Sequence, residues 1–94
     1  MMVSYSEKEI GERIRQVRKE AKMTQEQLAF QLGWEQPKVS RMENGIGVDS
    51  LSNLRAVGEA LGIDCLHFLL GEEAARYLEN IGMLKEPEIF WKQN

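Results

Sequence analysis

The chain is short of cysteine, of proline and of long apolar runs. Its one cysteine is Cys65 and its two prolines are Pro37 and Pro87. A lone cysteine excludes an internal disulfide, so the expected home is a reducing compartment, the cytoplasm. No apolar stretch reaches the roughly 18–20 residues that a membrane helix needs. The opening MMVSYSEKEIGERI has no apolar heart of the kind a secretion signal carries, so neither membrane nor export is expected. Catalytic equipment is missing as well. The sequence holds no glycine-rich phosphate loop and no Ser/His/Asp or Cys/His arrangement. His67 has no second His, Cys or paired carboxylate at ligand spacing, which makes it an ordinary surface or half-buried residue. Asp64 reads as a helix cap and Cys65 as a small core residue. The expectation is a non-enzymatic protein with no metal and no cofactor.

Excess positive charge is also absent. The net charge is −3, which alone argues against a nucleic-acid partner. The distribution is uneven, however. Residues 1–45 carry eight Lys/Arg against seven Asp/Glu, whereas residues 46–94 carry four against eight. Whole-chain charge governs solubility and long-range steering, while a binding face is a local matter.

The 94 residues suit one domain, and their patterning is helical almost throughout. Ser6 to Glu9 fits a capping box, followed by Ile10, Ile14, Val17 and Ala21 on one face, which predicts a helix over about 6–21. Most of Arg13, Arg15, Arg18, Lys19 and Lys22 lie off that face, and Arg13, Arg15, Lys19 and Lys22 read as a solvated cluster. Thr24-x-x-Gln27 is a second capping box, and Leu28, Ala29 and Leu32 make a second helix over 25–32 that stops at Gly33. Pro37 is tolerated only in the first turn of a helix, so a third begins at 36 or 37 and ends at Asn44-Gly45. Only Val39 and Met42 can face inward from it. Asp49 or Ser50 caps a fourth helix over 50–61 with Leu51, Leu54, Val57 and Leu61 inside. Gly58 within it costs about 1 kcal/mol relative to alanine, and a close backbone approach is the expected reason. A short apolar helix over 65–70 stops at Gly71. A weaker segment from Glu72 to about Leu84 sets Ala74, Leu78 and Ile81 on one face, and Pro87 ends it.

Helices two and three are joined only by Gly33 to Glu35. So short a link forces a steep crossing, and the third helix then projects a polar flank that the core does not need. A DNA major groove admits one α-helix. Over residues about 10–71, the segments IGERIRQVRKEAKMTQEQLA, KVSRMENG and LRAVGEALGIDCLHFLLG resemble the lambda-repressor/Cro-type helix-turn-helix domain, also called the Xre family. The resemblance implies an all-α fold: a compact five-helix domain over 6–71, with a C-terminal helical extension over 72–94.

It also implies roles for single residues. Gln36, Ser40 and Arg41 match base-contacting positions, where a glutamine pairs with adenine and an arginine with guanine. Pro37 departs from the pattern, offering contact to a thymine methyl or nothing. Gln25 matches a phosphate contact at the N-terminus of the second helix, where free N–H groups favour an anion. Lys38 and Asn44 are further backbone contacts. Trp34, unusual in the turn, packs on the first helix or touches the sugar-phosphate edge. Arg18 and Glu43 match an ion pair tying the first helix to the end of the third, and Arg18 has an edge for phosphate.

One such unit binds weakly alone, so a homodimer reading a palindromic operator is expected. Phe68, Leu69, Leu70, Tyr77, Leu78 and Ile81 would form its interface, with Leu84 and Ile89-Phe90-Trp91 adding to the tail. The alternative for that tail is folding back on its own core. The function implied is a sequence-specific regulator of transcription on double-stranded DNA, a repressor. The competing reading is an antitoxin-like interaction module whose tail holds a partner protein, with DNA binding for autoregulation.

Overall fold

A computed structural model describes residues 6–70 and 72–83. Gly71, Leu84, Pro87 and Ile89-Phe90-Trp91, whose expected roles are stated above, lie outside the described residues. The elements are α1 Glu7–Glu20, α2 Gln25–Leu32, α3 Gln36–Glu43, α4 Leu51–Leu61, α5 Leu66–Leu69 and α6 Glu72–Asn80. Among the described residues there is no strand. The all-α expectation holds, as five helices with a helical extension.

Local chemistry sets the boundaries. The Ser6 hydroxyl accepts from the Glu9 N–H at 3.4 Å and starts α1. Thr24 and Gln27 make the full capping box of α2, at 3.0 and 2.8 Å. Ser50 caps α4 by accepting from the Asn53 N–H at 3.2 Å, which resolves the choice between Asp49 and Ser50. Asp64 accepts from the Leu66 N–H at 3.0 Å. The extension ends earlier than its apolar spacing implied. The chain turns at Ile81-Gly82, and the Met83 N–H closes back on the Leu78 carbonyl at 2.9 Å.

The core gathers Ile10 and Ile14 of α1, Leu28 and Ala29 of α2, Val39 and Met42 of α3, Leu54, Val57 and Leu61 of α4, and Phe68 of α5. Each fully buried large side chain contributes on the order of 1.5–3 kcal/mol. Phe68 corrects the sequence reading. It was assigned to a dimer surface, yet its exposure is 0%, because α5 turns this ring in against α1. Leu69, Leu70 and Leu78 are half-buried, and only Tyr77 and Ile81 of that group stand exposed.

Arg13 is a second correction. It does not lie on a solvated face: its Nε donates to the Phe68 carbonyl at 2.8 Å and closes the C-terminal end of α5. Burial pulls this guanidinium below its usual pKa, with Glu9 and Glu12 acting the other way. The other side of α5 is tied to α6, where His67 Nε2 meets the Glu79 carboxylate at 2.7 Å.

Two helices approach closely enough to exclude a side chain. A Cβ on Gly11 would stand 2.6 Å from the carbonyl oxygens of Met42 and Glu43, so α1 lies directly on the last turn of α3. At Gly58 the same atom would meet the Ile63 carbonyl at 2.7 Å, the close approach expected there. Gly11→Ala is therefore expected to cost about 1–3 kcal/mol, as overpacking does when backbone has to move. Urea unfolding measures it, and a cost below about 0.5 kcal/mol would mean that α1 and α3 are free to part.

Candidate nucleic-acid interface

α3 is fixed at both ends and exposed along one flank. Gly33, in the left-handed conformation with φ 70°, ends α2, and the Trp34 N–H bonds the Ala29 carbonyl at 2.9 Å. Glu35 is extended and Pro37 sits in the first turn, where the missing N–H costs no hydrogen bond. Val39, Met42 and Glu43 are buried, while Pro37, Arg41 and Asn44 are exposed and Gln36, Lys38 and Ser40 are half-buried. Val39 and Met42 face inward as expected. The burial of Glu43 is explained by its partner.

Arg18 and Glu43 form a two-point ion pair, with Nε to Oε2 at 2.5 Å and Nη2 to Oε1 at 3.0 Å. The side chains are 9% and 3% exposed. The remaining Nη1 donates to the Met23 carbonyl at 2.7 Å. With three of its five N–H groups on protein acceptors and its side chain nearly closed to solvent, Arg18 is not placed to meet a phosphate, and that part of its expected role is dropped.

The network continues from Glu43. Gln25 Nε2 donates to Glu43 Oε1 at 2.9 Å, and Gln36 Nε2 donates to Gln25 Oε1 at 2.6 Å. Its direction follows from chemistry. An ionised carboxylate only accepts, so Gln25 turns its NH₂ toward Glu43. Its carbonyl is then the end that faces Gln36, and Gln36 has to donate. Each amide keeps one N–H in reserve, and Gln36 keeps its carbonyl oxygen as well. Three residues from three helices, Arg18, Gln25 and Glu43, thus define where Gln36 sits.

The rest of the flank is sparsely engaged. Asn44 Nδ2 donates to the Ser40 carbonyl at 2.9 Å. The Lys38 ammonium lies over the Trp34 ring, 3.9 Å from its centroid. Trp34 packs against the core as a half-buried residue. Among the described residues, the Arg41 side chain makes no hydrogen bond or ion pair. Arg15, Lys19 and Lys22 are exposed on and just after α1. Cys65 lies elsewhere, and burial first, then Asp64, pushes its thiol pKa up, which suits a structural cysteine.

The expected contacts Gln25, Trp34, Gln36, Pro37, Lys38, Ser40, Arg41 and Asn44 all belong to α2, α3 and their junctions. Sequence reading missed the links among them. Nothing in the sequence announced the bond between Gln25 and Gln36. The arrangement offers a donor-and-acceptor amide, a free guanidinium and a hydroxyl along one rod, with cations beside it.

The family model for a helix-turn-helix domain matches residues 9–65, more than half of the chain. No curated protein matches it. The matched span runs from the first turn of α1 through the entry to α5 and includes the whole network just described.

Removing one member of the buried pair strands the other. Arg18→Met or Glu43→Leu alone is expected to cost about 3–5 kcal/mol in urea unfolding. The double variant should recover much of that loss, since neither charge is then buried alone. Additive losses in the double variant would show that the two residues are not coupled.

Proposed function

The chain belongs to the helix-turn-helix domain family, and we propose that it is a transcriptional regulator, a repressor, that reads a palindromic operator in double-stranded DNA as a homodimer. The reading helix is α3. The observation that carries this is its outer flank, which is polar, keeps hydrogen-bonding capacity in reserve at Gln36, Ser40 and Arg41, and is held by bonds to α1 and α2.

Eight helical residues span about 12 Å, comparable to the width of the major groove. Gln36 brings one free N–H and one free carbonyl, the pair that matches adenine N7 and N6. Arg41 brings an unpaired guanidinium, suited to guanine O6 and N7. Ser40 adds a hydroxyl, and exposed Pro37 offers apolar contact to a thymine methyl. Lys38, Asn44, Trp34 and the spare N–H of Gln25 serve the phosphate backbone. The N-terminus of α2 adds free backbone N–H groups on that side.

A second copy follows from how little one rod can read. Two half-sites lie about 34 Å apart, one turn of the duplex. The exposed Tyr77 and Ile81, together with half-buried Leu69, Leu70 and Leu78, are the residues assigned to self-association.

Gln36→Ala and Arg41→Ala should each weaken binding to a duplex selected from a random pool by about 1–3 kcal/mol, and relax the preference at one base pair. Unchanged affinity in both would show that α3 is not the reader. Sedimentation at micromolar concentration should give a dimer, and Tyr77→Glu with Ile81→Glu should convert it to a monomer. A wild-type chain that stays monomeric with and without DNA removes the homodimer from the proposal.

A further inference from the structure

We propose that Trp34 is a positioning residue, whose indole holds the Lys38 ammonium as a preset contact for one DNA phosphate. The inference rests on the DNA-binding reading and deepens it.

The turn between α2 and α3 is tightly defined, and it carries the ring. The Trp34 N–H is tied to the Ala29 carbonyl at 2.9 Å, and its side chain packs on the core. One turn later, Lys38 reaches back and lays its ammonium 3.9 Å from the ring centroid. Its own N–H bonds the Glu35 carbonyl at 3.0 Å, so the backbone on which it stands is fixed.

The choice of holder matters. A carboxylate would orient a lysine and also cancel its charge. An aromatic face orients the cation through its quadrupole and leaves the charge uncompensated. Among the described residues, Lys38 has no ion-pair partner and the Trp34 indole N–H has no acceptor. The junction of the two helices therefore presents an ordered cation with nothing of opposite sign bonded to it. A phosphodiester oxygen supplies that sign. A free lysine has to give up much of its side-chain entropy to reach a phosphate, whereas one already resting on a ring gives up less.

A double-mutant cycle tests this on the full chain, with a duplex selected from a random pool. The affinities of wild type, Lys38→Met, Trp34→Leu and the double variant are measured across a range of salt concentrations. Lys38→Met should lower the slope of log K against log salt by about one. Trp34→Leu keeps the charge, so it should weaken binding about three- to tenfold with the slope nearly unchanged. In the Lys38→Met background, the same Trp34 change should cost much less. Trp34→Phe, which keeps a ring in the packed position, should fall between wild type and Trp34→Leu. Independently of DNA, the Lys38 ε-methylene protons should be shifted upfield by the ring, and Trp34→Leu should abolish the shift.

Strictly additive losses, or Lys38 protons with no ring shift, overturn the positioning role while leaving DNA binding intact. A wild-type chain that binds no duplex at all overturns both. A merely structural tryptophan would lose affinity equally with and without Lys38.

Discussion

The buried pairing of Arg18 with Glu43 is the interaction on which the rest depends. Taking two such ions out of water costs several kcal/mol apiece, and a well-packed apolar pair of the same volume is often as stable. Direction is what an apolar pair cannot supply. Two parallel bonds from a planar guanidinium fix distance and angle together. They join the last turn of the first helix to the last residue of the third, beside the place where Gly11 lets the two backbones nearly touch. The third helix is thereby held at its C-terminal end against α1, and its core-poor flank is free to face outward.

The same carboxylate also organises the other end of that helix. Because Glu43 only accepts, it dictates the orientation of Gln25, and Gln25 dictates that of Gln36. A buried charge thus sets the hydrogen-bonding sense of an amide at the far end of the same rod. The remaining helices serve this arrangement from behind. α4 and α5 close the core under α1 and α2, and Arg13 and His67 stitch the short α5 to its neighbours.

Local features of the fold were legible because their causes are local. The Thr24–Gln27 box, the Ser50 cap and the proline at the head of α3 each act within one turn, and the helices begin where those residues put them. The Phe68-Leu69-Leu70 run was harder. A four-residue helix is too short for apolar spacing to separate an inward ring from outward leucines, so Phe68 was placed on the surface when it lies in the core. Arg13 misled for another reason. Its acceptor is 55 positions away, and from sequence a cation off the apolar face looks solvated. The ion pair of Arg18 and Glu43 spans 25 positions and was reachable only through family resemblance, whereas the bond from Gln36 to Gln25 had no signal at all.

The central claim is that the exposed flank of the third helix, held by this network, is the surface that meets DNA. Titrating an isotope-labelled chain with a selected duplex and following every amide by NMR tests it most directly. The account predicts that the largest changes fall on Gln25, Trp34, Gln36 through Arg41, and Asn44, with α4 and α6 little affected. Changes centred on α4 or α6 and absent from α3 would contradict it.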